Sequence, residues 1–343
     1  MTRTIVATLA LVAAAGTHPA NAALHVEWSG FAQLTSQQLS EREAMERAGV
    51  TFGVDRLRIG MDVSDGAAFG RIHLDINRGD IAVAKNGTLP EIVRDAAAGY
   101  TATPWLRIEA GQFKAPLGTD FDTYGADLDL AKRAMEHPLV LDRTIGFMLS
   151  GRKLSRAKLG YDLFVGNPAG RSAAHAQGVV GHDQSMVGRV HFDGIQDLHV
   201  EAAFAVDQND TLQDYRVFDV GARYVRQDWT FEAEYVFGQN IKSLDGDEQS
   251  VWYAHVGYLW QPDFEVVLRH YQGRRDDGSV SSELGNTWLG FNYFLGSDRL
   301  NGRVQVNYVF VSGDSENATL VGAGKGVGVF VDDAVLAQYQ MHF

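Results

Sequence analysis

After residue 23 the chain alternates apolar and polar side chains with a period of two. That is the repeat of a strand whose two faces meet different surroundings. Over 51–63, Leu57, Ile59, Met61 and Val63 share one face while Arg56, Arg58 and Asp62 share the other. Over 70–77, Ile72, Leu74 and Ile76 oppose Arg71, His73, Asp75 and Asn77. Trp229, Phe231, Ala233, Tyr235 and Phe237 oppose Thr230, Glu232 and Glu234, and Val304, Val306, Tyr308 and Phe310 oppose Arg303, Gln305 and Asn307.

The pattern predicts about 16 strands, near 24–35, 51–63, 68–77, 91–100, 105–113, 142–150, 159–167, 186–192, 198–206, 215–225, 229–239, 250–260, 264–272, 286–295, 300–311 and 330–343. Most reach the 9–11 residues that a tilted strand needs to cross a bilayer, beyond the usual soluble length of 5–6. Their connections alternate long and short, and short ones carry turn residues, as at Ser64, Asp65 and Gly66. A soluble sandwich also alternates, because one sheet face is buried. Strand length, charge on nearly every polar face and the long–short rhythm favour an all-β transmembrane antiparallel barrel. Its long loops would be extracellular and its short turns periplasmic. Lipid leaves no backbone group unpaired, so such a barrel must close. The last strand, with Val335, Ala337, Tyr339, Met341 and Phe343 on one face, is expected to pair with the first. Trp28, Trp105, Trp229, Trp252, Tyr258, Trp260, Tyr293 and Tyr308 fall near strand ends. They fit interfacial girdles, although core packing would explain any one of them. A bore of this strand number is too wide for side chains to fill, so water is expected inside.

The N-terminus has a different pattern. Arg3, an apolar run over 5–16, Pro19 and the triplet Ala20, Asn21, Ala22 read as a secretory signal peptide over 1–22, leaving a barrel over 23–343. No later run reaches the ~18 apolar residues of a membrane helix. The absence of cysteine excludes disulfides, thiolate metal sites and thiol catalysis. A net charge of −13 argues against nucleic acid as a partner.

Candidate chemistry is sparse. GxSxG does not occur, and neither enzymatic activity nor a cofactor is expected. His73, His191, His199, His255 and His342 lie on the polar faces without HxxxH spacing and read as solvated positions. The acidic tips at 207–214 and 245–248 lack the EF-hand pattern. Residues 36–50 read as a charged loop or short surface helix, and 128–137 as a short helix ending before Pro138. The alternation aims Arg56, Arg58, Arg71, Arg107, Arg189, Arg223, Arg269 and Arg303 into the bore. It aims Asp62, Asp75, Glu109, Glu201, Asp219, Glu232, Glu234 and Glu265 there too.

Residues 111–116 (GQFKAP) and 142–151 (DRTIGFMLSG), with RLRIG at 56–60, FVGNPAG at 164–170, VGRVHF at 187–192 and the run over 289–310, occur in order along most of the mature chain. In these segments the chain resembles the bacterial outer-membrane porins grouped with the phosphate-selective porins O and P. The resemblance implies a trimer of 16-strand barrels in the outer membrane of a Gram-negative bacterium, among lipid and lipopolysaccharide. It also implies a third loop, about 114–141, folded into the bore. By the same resemblance Arg56 and Arg58 match paired arginines on an early strand, Lys114 the lysine of GQFK, and Arg133, Glu136 and Arg143 a charged run through that loop. The loop departs from a phosphate trap, because Lys114, Lys132 and Arg133 are outnumbered by Asp120, Asp122, Asp127, Asp129, Glu136 and Asp142. The expectation is therefore wall arginines facing loop carboxylates across a narrow aqueous gap, a transverse field that admits small polar solutes. The candidate constriction comprises Arg56, Arg58, Arg71, Arg107, Lys114, Asp120, Asp122, Arg133, Glu136 and Arg143. Passive diffusion of small hydrophilic solutes and ions is the first functional reading, and an anion-specific, phosphate-type channel with a binding site is the second. A barrel hydrolase or adhesin is the third.

Overall fold

The computed structural model describes residues 24–39, 49–77, 89, 92–133, 135–168, 184–208, 212–296, 299, 301–313, 319–323 and 328–343. The expected signal peptide at 1–22, most of the loop over 36–50 and the middle of the acidic tip at 207–214 lie outside them.

Two-faced strands can only satisfy both faces by wrapping an interior. The strands are β1 (His25–Leu39), β2 (Gly49–Asp65), β3 (Ala68–Asp75), β4 (Val93–Thr103), β5 (Leu106–Lys114), β6 (Arg143–Leu154), β7 (Leu159–Gly166) and β8 (Ser185–Phe192). They continue as β9 (Leu198–Asp207), β10 (Tyr215–Arg226), β11 (Trp229–Gln239), β12 (Glu248–Gln261), β13 (Phe264–Asp276), β14 (Ser281–Phe294), β15 (Gly302–Gly313) and β16 (Ala334–His342). Each pairs antiparallel with its chain neighbours, and β16 closes the sheet on β1 with Phe31 opposite His342. All sixteen fall where the alternation predicts. Ser36–Leu39 and Gly49–Val50, expected in a loop or helix, extend β1 and β2 instead.

Apolar strand positions face outward: Phe52, Ile72, Leu163, Val190, Phe204, Phe231, Leu268 and Leu289 are all exposed. The eight strand-end aromatics named above are exposed as well, so the core-packing reading of them fails. Trp28, Trp105, Trp229, Tyr258, Trp260 and Tyr293 ring the short-turn end, and Trp252 and Tyr308 stand toward the loops. Of the register shifts in the sheet, two turn adjacent charged residues inward together. Between β1 and β2 the register slips past Asp55, so Asp55 and Arg56 both turn inward. Between β3 and β4 it slips past Arg94, so Arg94 and Asp95 both turn inward. An extra residue on one strand re-aims the side chains beside it.

The interior corrects one expectation. Much of the bore is dry rather than filled with water. Inward-facing Val217, Val236, Tyr253, Tyr271, Trp288 and Val309 pack against Phe121, Leu130, Met135, Leu139 and Leu141 of the chain between β5 and β6, and against Leu320 and Phe330. The strand count sets the bore's width, but the inward loop supplies the side chains that fill it.

Candidate functional site

The segment 115–142 enters the barrel after Lys114 and begins with the single-turn helix α1 (Thr119–Asp122). The first amides of a helix have no acceptor within it. Here wall carboxylates take them: Gly118 N donates to Asp219 Oδ2 (3.0 Å), and Thr119 N and Asp120 N to the two oxygens of Glu234 (2.9 and 3.1 Å). Thr119 Oγ1 donates to Glu201 (2.8 Å). Gly221 of β10 makes this seat possible, since a Cβ there would lie 1.9 Å from Thr119 Oγ1. At the other end of α1, Lys114 Nζ donates to the carbonyls of Phe121, Asp122 and Thr123, and Arg133 to those of Phe121 and Thr123.

Beyond α1 the backbone lies along a polar ladder on β1 and β14–β16. Gln33 donates to Gly125 O (3.0 Å), Arg303 to Ala126 O (2.8 Å), Gln305 to Leu128 O (3.0 Å) and Asn292 to Asp129 O (3.1 Å). Asn307 accepts from Ala131 N (3.0 Å), and Gln338 donates to Ala131 O (3.0 Å). The helix expected over 128–137 is absent at its described residues. At Leu128, Asp129 and Ala131 its backbone groups bond to the wall instead, and beyond them Leu139 N closes a turn on Glu136 O. A made bond nets only ~0.5–1.5 kcal/mol, whereas a buried unmade one costs ~1–3 kcal/mol, so the ladder chiefly dictates where the segment can lie.

The loop carboxylates do not face wall arginines across water, as expected. Asp120 is buried in an ion pair with Arg269 (2.6 Å), which also reaches Glu232 (3.3 Å). Asp129 meets His255 at 3.3 Å, and Asp142 lies behind Arg94 and Arg143. Glu136 is fully buried, and neither carboxylate oxygen has a hydrogen-bond partner. Burial, helped by the Asp120 charge, pushes its pKa up to about 8 and favours the protonated form. Burial pushes His137, stacked on Phe121 at 5.2 Å, down to about 3. Of the loop acids, Asp122 turns to the open side, where it pairs with Arg189.

On that side, between the segment and β1–β8, lies a cavity of about 330 Å³. It is lined by Arg58, Arg71, Arg94, Lys114, Arg143, Arg152 and Arg189, by Asp95, Asp122 and Asp162, and by Tyr124 and His73. Four ion pairs here share an arrangement, with the arginine toward water and its carboxylate behind it in the wall, whereas Arg143 with Asp95 and Arg189 with Asp122 run the other way. Side-chain exposure is 28% for Arg71 against 2% for Glu109, and 43% for Arg152 against 1% for Asp162. Arg58 with Asp75 and Arg189 with Asp162 follow the same order. Water in the cavity therefore meets guanidinium edges.

The structure brings Arg58, Arg71, Lys114, Asp122 and Arg143 together here. Arg56 instead donates to Gln33 (2.6 Å) beside the segment, and Arg107 stacks on Phe69 (3.7 Å to the ring centroid) toward the short-turn end. Asp120, Arg133 and Glu136 lie in the dry seam. Sequence reasoning missed Arg94 and Asp95, because the β4 bulge brings both inward, and Arg152, which lies near the β6 end beyond regular pairing. A second cavity of about 380 Å³ shares Asp122, Arg152 and Arg189 with the first. It leads past His191, Asp193 and His199 to the short turn at 193–197.

No family model and no curated protein matches the chain. Solved structures do. OmpT expressed in the outer membrane of Vibrio cholerae superposes with a TM-score of 0.63 at 16% identity, covering 94% of this chain and 98% of that one. An anion-selective porin from Comamonas acidovorans gives 0.67 at 13% identity, with 94% and 100% covered. OmpF of Salmonella typhi, in a complex with daunomycin, gives 0.66 at 14% identity, with 93% and 97% covered. At these identities the likeness establishes the fold: this chain is built as a bacterial outer-membrane porin is built.

Proposed function

We propose that the protein is an outer-membrane porin, a passive channel for small hydrophilic solutes with a preference for anions. The observation that carries the reading is the order of four ion pairs along the cavity, Arg58 with Asp75, Arg71 with Glu109, Arg152 with Asp162 and Arg189 with Asp162, arginine toward water and carboxylate behind. A mobile anion approaches the nearer, positive member of these four pairs, and a narrow low-dielectric channel strengthens that field. No energy source or conformational step is required. The apolar outer face and aromatic girdles support placement in the outer membrane, with 1–22 removed as a signal peptide. The resemblance to the phosphate-selective porins supports a homotrimer.

The alternative, a phosphate-type binding site in the constriction, draws support from the same guanidiniums. It is weaker, because their donors are already engaged by Asp75, Glu109, Asp95 and Asp162. Purified protein in a planar bilayer under a KCl gradient tests the proposal. A reversal potential on the chloride side is expected, with three equal conductance steps per insertion. A cation-selective channel, or no conductance, contradicts it. Saturable block by millimolar phosphate would favour the alternative.

A further inference from the structure

We infer that the β8–β9 hairpin carries a site for a divalent late transition metal such as Zn²⁺, built from His191, Asp193 and His199. The ligand-capable atoms of these three residues all lie within 4.8 Å of one another. The hairpin brings them together: His191 is next to last on β8, Asp193 opens the short turn, and His199 is second on β9. Two imidazoles and one carboxylate are a donor set for Zn²⁺, Ni²⁺ or Cu²⁺ rather than for calcium or magnesium, which prefer oxygen alone.

Two observations separate this cluster from ordinary polar side chains at a channel mouth. The first is His191, only 6% exposed. Apart from a 3.5 Å approach of Nδ1 to Asp193 Oδ2, neither ring nitrogen has a hydrogen-bond partner. A buried imidazole without partners is costly, and a metal at Nδ1 would satisfy it. The ring is also held in place, since a Cβ on Gly160 would come within 2.2 Å of His191 Cε1. That contact packs the Nε2 edge against β7 and leaves Nδ1 facing Asp193.

The second observation is an outer layer of support. His199 Nδ1 lies 2.7 Å from Asp193 Oδ1, while its Nε2 lies 3.3 Å from Glu201. A carboxylate on the far nitrogen of a histidine fixes the tautomer in which the near nitrogen can bind metal. Glu201 is itself held by Thr119 and Arg189. A tetrahedral site needs ligand atoms about 3.3 Å apart. Asp193 is already near that distance from each imidazole, so closing the site requires His199, the more exposed of the two, to turn inward. The neighbouring cations do not forbid a dication: Arg189 is paired with Asp162 and Glu201, Arg152 with Asp162, and Arg223 with Glu232.

Calorimetric titration of the full-length barrel in detergent with ZnCl₂ tests the inference. One saturable site per protomer is expected, weakened at least ~10-fold in H199Q and in E201Q and unchanged in H270Q, which removes a histidine elsewhere on the barrel. Cobalt should give a visible absorption band in the wild type and none in H199Q. If H191Q fails to fold, H199Q carries the test alone, because its ring is partly exposed. No saturable binding in the wild type, or binding in H199Q and H191Q as tight as in the wild type, overturns the site. The titration stands whether or not the barrel conducts, so failure here and failure of the channel reading are separate results.

Discussion

The two halves of the barrel wall have similar alternation and opposite interiors. From β9 to β16 the inward face carries Val217, Val236, Tyr253, Tyr271 and Trp288 among its polar groups, and the segment 115–142 is sealed against it. From β2 to β8 the inward face is arginine-rich, and the segment stands away from it, leaving the charged cavity. The difference shows what positions a constriction. A loop inside a barrel settles on the wall that can satisfy its backbone and bury its apolar side chains. On the proposed channel reading the path for solutes is what remains, and its charge is set by the other wall. The acidic sum of the loop sequence therefore misleads about the field, because Asp120, Asp129 and Glu136 point into the sealed half and Asp142 is covered by Arg94 and Arg143.

The comparison can be broken most severely at Arg269, which joins the loop to the sealed wall through Asp120 and Glu232. Arg269→Met leaves two carboxylates buried without their cation. A loss of ~3–5 kcal/mol is expected, read as a lower thermal midpoint by circular dichroism, with larger and noisier conductance as the loop frees itself. Gly221→Ala attacks the same seam sterically. Its methyl displaces Thr119 from Glu201, for an expected loss of ~1–3 kcal/mol, and the sealed wall should lose protection first in hydrogen exchange.

On the open side the contrast lies between adjacent arginines. Arg58→Ala should reduce the anion-to-cation permeability ratio by up to about fivefold, the equivalent of ~1 kcal/mol for one charge at 4 Å in water. Arg56→Ala should change it far less, because Arg56 binds Gln33 outside the cavity. Equal shifts in reversal potential would erase the distinction. The smallest effect concerns Glu136. With its pKa raised to about 8 in the fold, the folded chain holds a proton that the unfolded chain releases near the ordinary carboxyl value. Stability from this group is full below that value and falls as pH rises toward 8. The melting temperature should drop between pH 5 and 9, and Glu136→Gln should flatten that drop.

The barrel was legible because its cause is local. An apolar surface outside and a polar face inside impose a two-residue period, and Leu57, Ile59 and Met61 opposite Arg58 display it without any tertiary knowledge. The inward loop was legible through its resemblance and its length. The direction of its acids was not, because Asp120 and Asp122 are two residues apart in a single helical turn and face opposite halves of the bore. Nor could alternation find Arg94, whose inward aim depends on a bulge, or the dry seam, whose polar ladder is made of scattered Gln and Asn that look like ordinary lumen residues. The His191–His199 cluster depended on a turn that brings residues eight apart in sequence together.

The sequence contains no cysteine, so single cysteines can report each wall separately. Ser29→Cys lies on the open cavity, and Val217→Cys lies in the seam on the opposite wall. An anionic methanethiosulfonate reagent added during single-channel recording should lower conductance through the first and leave the second unchanged. Modification of Val217→Cys at a comparable rate, or silence at Ser29→Cys, would mean that solutes do not follow the arginine-lined half.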